Sequence, residues 1–316
     1  AILYPPLAHW STPLAIIVTS SFALIQLRGI SVGARIQEIA TSIISLVIVS
    51  MTVILFFIEI PESNSIVLPA TDGGLVDWSL VVATIVFTYD GWLYAAYFGE
   101  EIKGNPSVSA RSCIKGMVIV ISLYMLLNLA LVTSTGLAAL AGSELAIAKA
   151  FELAKLPLAE NLVVIAAILI LLGHQNLEYM SGPRILYALA VDGLAARRAQ
   201  KLGHSGNPTF ALMATWIVTV GLISVGGFEF LLFLSVFFYI SIYLALIVGV
   251  IILRRREPTA ERPYEAWGHP YSTGACLLGW VILTSFQAYV ERDTAIYAVI
   301  MAAVSWPVFR YLSRDP

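Results

Sequence analysis

Long apolar runs alternate with short polar connectors along the whole chain. Nine of the runs approach the ~20 residues that an α-helix needs to cross the hydrocarbon of a bilayer. They lie at about 11–27, 37–60, 76–102, 116–140, 159–188, 208–226, 229–253, 272–290 and 294–312. The pattern predicts an all-α integral membrane protein of about nine transmembrane helices, one transmembrane domain over 1–316 with no separate soluble domain. Between 141 and 157 the stretch AGSELAIAKAFELAKLP is amphipathic and too charged to cross. It is predicted as a surface helix with Ser143 as its N-cap and Pro157 as its stop.

The third run departs from this pattern. Phe87-Thr88-Tyr89-Asp90-Gly91-Trp92 places a carboxylate and a glycine near the middle of an otherwise apolar segment. A carboxylate at that depth costs on the order of 2.5–3.5 kcal/mol, and glycine loosens the helix. A helix opened there leaves N–H and C=O groups without partners, which is tolerated only where they line a cavity or a ligand site. Half-helix ends then offer partial charges to a charged ligand, as in the broken helices of secondary transporters. The structural alternative is a glycine kink with Asp90 bonded to a neighbouring helix.

A second anomaly lies in the fifth run, Gly173-His174-Gln175-Asn176-Leu177-Glu178. His174 and Glu178 are spaced i,i+4 and share a helix face, so they could pair or pass a proton. Ionisable groups at this depth face the bundle interior or water. The functional reading is a proton-coupling or cation-binding face; the structural one is a polar contact between packed helices. Glu100, Glu101 and Lys103 read as a solvated or loop-bonded terminus, with a cytoplasmic gate as the alternative. Asn128, Ser42 and Ser45 read as contacts between helices, and His9, His204 and His269 fall in loops.

Composition sharpens the class. The chain is 59% hydrophobic and 12% charged, against about 25% charged in a soluble domain. Of its 18 Lys and Arg residues, 15 fall on the side of the C-terminus and only Lys149, Lys155 and Arg292 on the other. The positive-inside rule therefore puts the C-terminus in the cytoplasm. Arg254, Arg255 and Arg256 read as an orientation signal and anionic-lipid contact. Trp10, Trp78 and Trp306 read as interface anchors. Two separated cysteines, Cys113 and Cys276, suggest neither a disulfide framework nor a metal cluster. No HExxH, GxSxG or phosphate-binding glycine loop points to an enzyme or to a cofactor. One Asp90 does not make the repeated ring that a selective channel uses. No basic patch suggests nucleic acid.

Four collinear stretches carry a family resemblance. FTYDGW followed by GEEIKGNP resembles the sixth helix of the amino acid–polyamine–organocation (APC) transporters. LRGISVGARIQE (27–38) is similar to the entry to that family's fifth helix. PRILYALAVDGL (183–194) and RRREPTAERPYEAWGHP (254–270) resemble the end of the eighth and the loop before the eleventh. The resemblance implies a LeuT-type inverted-repeat fold with an incomplete first repeat, the nine spans standing for helices four to twelve. Residues 11–60 would be the remnant of the first repeat, 76–253 the second, and 272–312 two C-terminal helices. It also implies that the first three helices are missing and that the chain holds half of a substrate site.

Carried over by position, the backbone at Phe87, Thr88 and Asp90 would face the amino group of a substrate. Phe87 would act as an aromatic lid, and Gly91 as the flexible point beside Tyr89. Ile44 stands where many members carry a lysine that replaces a sodium ion, which leaves the coupling ion open and raises the interest of His174 and Glu178. The implied protein is a multi-pass permease of the plasma (inner) membrane moving amino acids by alternating access. Its partners would be a small-molecule amino acid or amine, membrane lipids and a coupling proton or cation, with no cofactor. A polyamine or cationic amino acid exchanger, or a non-transporting remnant of the fold, are the rival readings.

Overall fold

A backbone in lipid has no water to bond, so apolar runs rich in Leu, Ile, Val and Ala coil into helices that satisfy themselves. The computed structural model describes residues 10–58, 74–97, 106–143, 145–203, 206–225, 227–262 and 264–312. Its helices are α1 (Ser11–Gln26), α2 (Ile30–Phe57), α3 (Leu75–Tyr89), α4 (Tyr94–Tyr97), α5 (Pro106–Thr135) and α6 (Leu137–Leu140). They continue with α7 (Ala146–Leu153), α8 (Pro157–Val191), α9 (Thr209–Val225), α10 (Phe228–Arg256), α11 (Tyr271–Val290) and α12 (Arg292–Leu312). No strand occurs among the described residues.

Each predicted span overlaps a described helix, the third one holding both α3 and α4, with residues 98–102 outside the described ones. By length and apolarity α2, α5, α8, α10 and α11 suffice to cross a bilayer, while α1, α3 and α9 are shorter apolar helices. The 15 residues of α3 rise only about 22 Å at ~1.5 Å per residue, short of the ~30 Å hydrocarbon.

The chain divides into two compact units. The first holds α1, α2, most of α5, and α6 to α9. Its larger core joins Met51 and Leu55 of α2, Ala130 and Leu131 of α5, Phe151 of α7, and Val163 and Ala166 of α8. A smaller cluster joins Ala23, Tyr179 and Leu212 across α1, α8 and α9. The second unit holds α3, α4, the start of α5, and α10 to α12. There Ala83 and Val86 of α3 pack on Phe233, Val236 and Ile240 of α10, and Leu234 and Phe237 of α10 pack on Ala298 of α12.

Three local expectations are corrected. The amphipathic helix α7 exists, but its N-cap is Leu145, without a side-chain cap; the Ser143 hydroxyl donates to the Leu140 carbonyl instead. Pro157 opens α8 at its first turn, where its missing N–H costs nothing, and α7 ends earlier, at Leu153 before Lys155 turns left-handed (φ 56). Among the described residues Ser42 and Asn128 bridge no helices: they donate to the Glu38 and Tyr124 carbonyls one turn back on their own helices. The exposed Trp10, Trp78 and Trp306 sit near helix ends. Residues Glu100, Glu101, Lys103, His9 and His204 lie outside the described residues.

Candidate functional site

The break in the third span is real. The N-cap of α3 is Gly74, whose N–H donates to the Asp77 carboxylate at 3.0 Å. The helix ends at Tyr89, and Asp90 leaves it with extended backbone (φ −66, ψ 150) while its N–H still reaches the Val86 carbonyl at 3.0 Å. Gly91 then takes φ +129, a left-handed region closed to most side chains, and the chain re-coils over one turn in α4. Asp and Gly are among the weakest helix formers. Thr84 and Thr88 loosen the preceding turns by donating their hydroxyls to the Leu80 and Thr84 carbonyls, at 2.8 and 2.7 Å. A helix that stops here directs its last-turn carbonyls, the negative end of its dipole, at the break.

Around the break, Phe87, Thr88, Tyr89 and Trp92 are exposed, while Asp90 and Gly91 are half-buried and Leu93 is buried. The structural alternative is also partly realised, because Asp90 is bonded to a neighbouring helix: the Tyr243 hydroxyl of α10 donates to its Oδ1. Tyr243 is 2% exposed. Its ring stands 5.0 Å from Trp92 and 5.0 Å from Trp280 of α11, both tilted contacts. One more polar pair anchors α3, between Ser79 and Gln287 of α11, both buried. Sequence reasoning passed over Tyr243, Trp280 and Gln287. The signal for Tyr243 was its place on the stripe Val236, Ile240, Tyr243, the face that α10 turns to α3.

The other candidate pair belongs to the first unit. His174 Nε2 lies 3.5 Å from Glu178 Oε1 on α8, with side chains 46% and 39% exposed. The i,i+4 spacing therefore brings them together, as a charged pair only when the histidine is protonated. A third residue of the same stretch, Asn176, is completely buried on another face of α8. Its Nδ2 donates to the Gly33 carbonyl at 3.0 Å and to Gln37 Oε1 at 3.1 Å, and its Oδ1 accepts from Gln26 Nε2 at 3.0 Å. Asn207 Nδ2 in turn donates to the Gln26 carbonyl. Gly33 makes room for this cluster, because a Cβ there would lie 2.7 and 2.9 Å from the Gln26 amide. The signal for Asn176 was its helical offset from Gly173, whose α-carbon faces Ala40 and Ile44 of α2. Ile44 is thus a packing residue beside α8.

Cys113 and Cys276 are unpaired thiols, and no group of three His, Cys, Asp or Glu among the described residues could hold a metal ion. Five described helices long and apolar enough to cross a bilayer, beside a shorter apolar helix that breaks at Asp90, mark a multi-pass membrane protein. The Amino acid permease family matches residues 10–306, nearly the whole chain, and the protein belongs to that family. The chain is 23% identical to the serine/threonine exchanger SteT of Bacillus subtilis (strain 168), over 95% of its own length and 69% of that protein. It is 22% identical to the branched-chain amino acid permease BcaP of the same strain, over 90% of this chain and 62% of that one. BcaP of Lactococcus lactis subsp. cremoris (strain MG1363) is 26% identical over 85% of this chain and 58% of that protein. The chain therefore spans roughly three-fifths to two-thirds of the relatives it matches.

Proposed function

We propose that the protein is a secondary active transporter that moves amino acids across the plasma (inner) membrane by alternating access. The observation that carries this reading is the opened helix at Asp90 and Gly91, with extended backbone at the first and φ +129 at the second. The carbonyl end of α3 attracts the ammonium of a substrate through its dipole. In this reading Phe87, Thr88 and Tyr89 form the wall of the substrate site, Phe87 closes it toward the exterior, and Gly91 gives the break its freedom. Relatives named as a serine/threonine exchanger and as branched-chain amino acid permeases support an amino acid as cargo.

The His174–Glu178 pair is assigned to ion coupling, because two titratable groups 3.5 Å apart on a spanning helix can exchange a proton or share a cation. Residues 76–253 are assigned to the second repeat, 272–312 to the two following helices, and the C-terminus to the cytoplasm by the distribution of Lys and Arg. The second reading, an exchanger of polyamines or cationic amino acids, draws on the negative charges of Asp90 and Glu178. Uptake and counterflow of radiolabelled amino acids and polyamines by the native protein in proteoliposomes test both. Saturable flux of an amino acid supports the permease, flux of polyamines alone the exchanger, and no flux of any of them a remnant of the fold.

A further inference from the structure

The carboxylate at the break is already engaged. Tyr243 donates its hydroxyl to Asp90 Oδ1 from a site 2% exposed, and its ring stands between Trp92 and Trp280 at 5.0 Å from each. A ring packed on both sides cannot turn its hydroxyl elsewhere without parting two aromatic contacts. The donor rides on α10, whose Val236 and Ile240 pack on Ala83 and Val86 of α3, so pair and helix contact fix one another. Over residues 86–97 of the break, Asp90 is the only acidic residue. The exposed side chains beside it, Phe87, Tyr89 and Trp92, are aromatic and carry no charge.

From this arrangement, and resting on the permease reading above, we infer that Asp90 is a positioning residue rather than the counter-charge for a cationic substrate. Bonded to Tyr243, it sets where α3 ends, and the carrier selects amino acids with uncharged side chains. A lysine or polyamine ammonium would need a desolvated carboxylate of its own, and drawing Asp90 away would strand the buried Tyr243 hydroxyl. A neutral side chain asks only for the ring faces.

The test uses the native protein in proteoliposomes, with radiolabelled serine and leucine as cargo and lysine and putrescine as competitors. The wild type is expected to carry serine or leucine and to be inhibited by lysine and putrescine only weakly. Tyr243→Phe keeps the ring stack and frees the carboxylate. It is expected to strengthen competition by lysine relative to leucine about tenfold, the factor one charge-assisted hydrogen bond supplies. Adding Asp90→Asn to that variant is expected to abolish the gain, which a merely structural loss would not do. Lysine or putrescine flux in the wild type equal to that of serine or leucine overturns the inference alone. So does an unchanged lysine-to-leucine ratio in Tyr243→Phe. Absence of flux for every amino acid overturns the permease reading and this inference with it.

Discussion

Ser79 and Gln287 hold one another twice. The Ser79 hydroxyl donates to Gln287 Oε1 at 2.5 Å, and Gln287 Nε2 donates to the Ser79 carbonyl at 3.0 Å. They lie 208 positions apart in sequence, and each is no more than 1% exposed. Removing the amide leaves a buried hydroxyl without its acceptor, at a cost of about 1–3 kcal/mol. Gln287→Leu should therefore lower the melting temperature of the purified protein, and adding Ser79→Ala should restore part of the loss. Strictly additive losses would mean that the two groups do not act as a pair.

The Asn176 cluster predicts the same kind of loss in the first unit. Gly33→Ala drives a methyl into the Gln26 amide, which is itself bonded to Asn176. Asn176→Leu strands the Gln26 and Gln37 amides together. Each variant should lose on the order of 1–3 kcal/mol, and the double variant less than the sum. Thermal unfolding in detergent checks this.

At the break, Gly91→Ala finds open space, since the nearest atom to its Cβ is Tyr94 Cδ2 at 3.9 Å, but it must hold φ +129. That strain costs about 1–3 kcal/mol and should reduce uptake more than folded yield. Phe87→Ala should raise the apparent KM or stop transport in protein that still folds. Wild-type kinetics would remove Phe87 from the lid role.

If Glu178 and His174 carry the coupling proton, Glu178→Gln should flatten the pH dependence of uptake while leaving pH-independent exchange in place. An unchanged pH profile would return the pair, 3.5 Å apart, to a structural role.

His269 gives a titration outside the membrane. Partial burial, then the charges of Arg254 and Arg262, hold its imidazole below the usual value, while Nδ1 lies 2.9 Å from the Thr273 hydroxyl. The folded state therefore binds a proton here less readily than the unfolded chain. Stability at this site is intact above ~6.5 and falls as pH drops below it. Arg254→Gln should raise the His269 pKa, as followed by its ring resonances in NMR.

Much of this was legible from the sequence. Hydropathy alone located the apolar helices, because lipid forces apolar runs to coil. Asp90 and Gly91 marked the break, since both oppose helix at a depth where an opened backbone needs a purpose. The i,i+4 rule placed His174 beside Glu178. What escaped were partners distant in the chain: Tyr243 for Asp90, Gln287 for Ser79, and Gln26 and Gly33 for Asn176. Each of these is an unremarkable residue within its own helix, and only tertiary packing selects its partner. Pro157 misled because proline stops a helix from inside yet starts one from its first turn.

α8 carries two polar flanks with opposite duties. On one, Asn176 is tied to α1 and α2 by buried amide bonds; on another, the side chains of His174 and Glu178 are 46% and 39% exposed. A helix pinned in this way cannot roll about its axis to hide or reveal the acidic flank. In the proposed carrier, exposure of Glu178 would therefore change through movement of what packs beside α8 rather than through a turn of α8 itself.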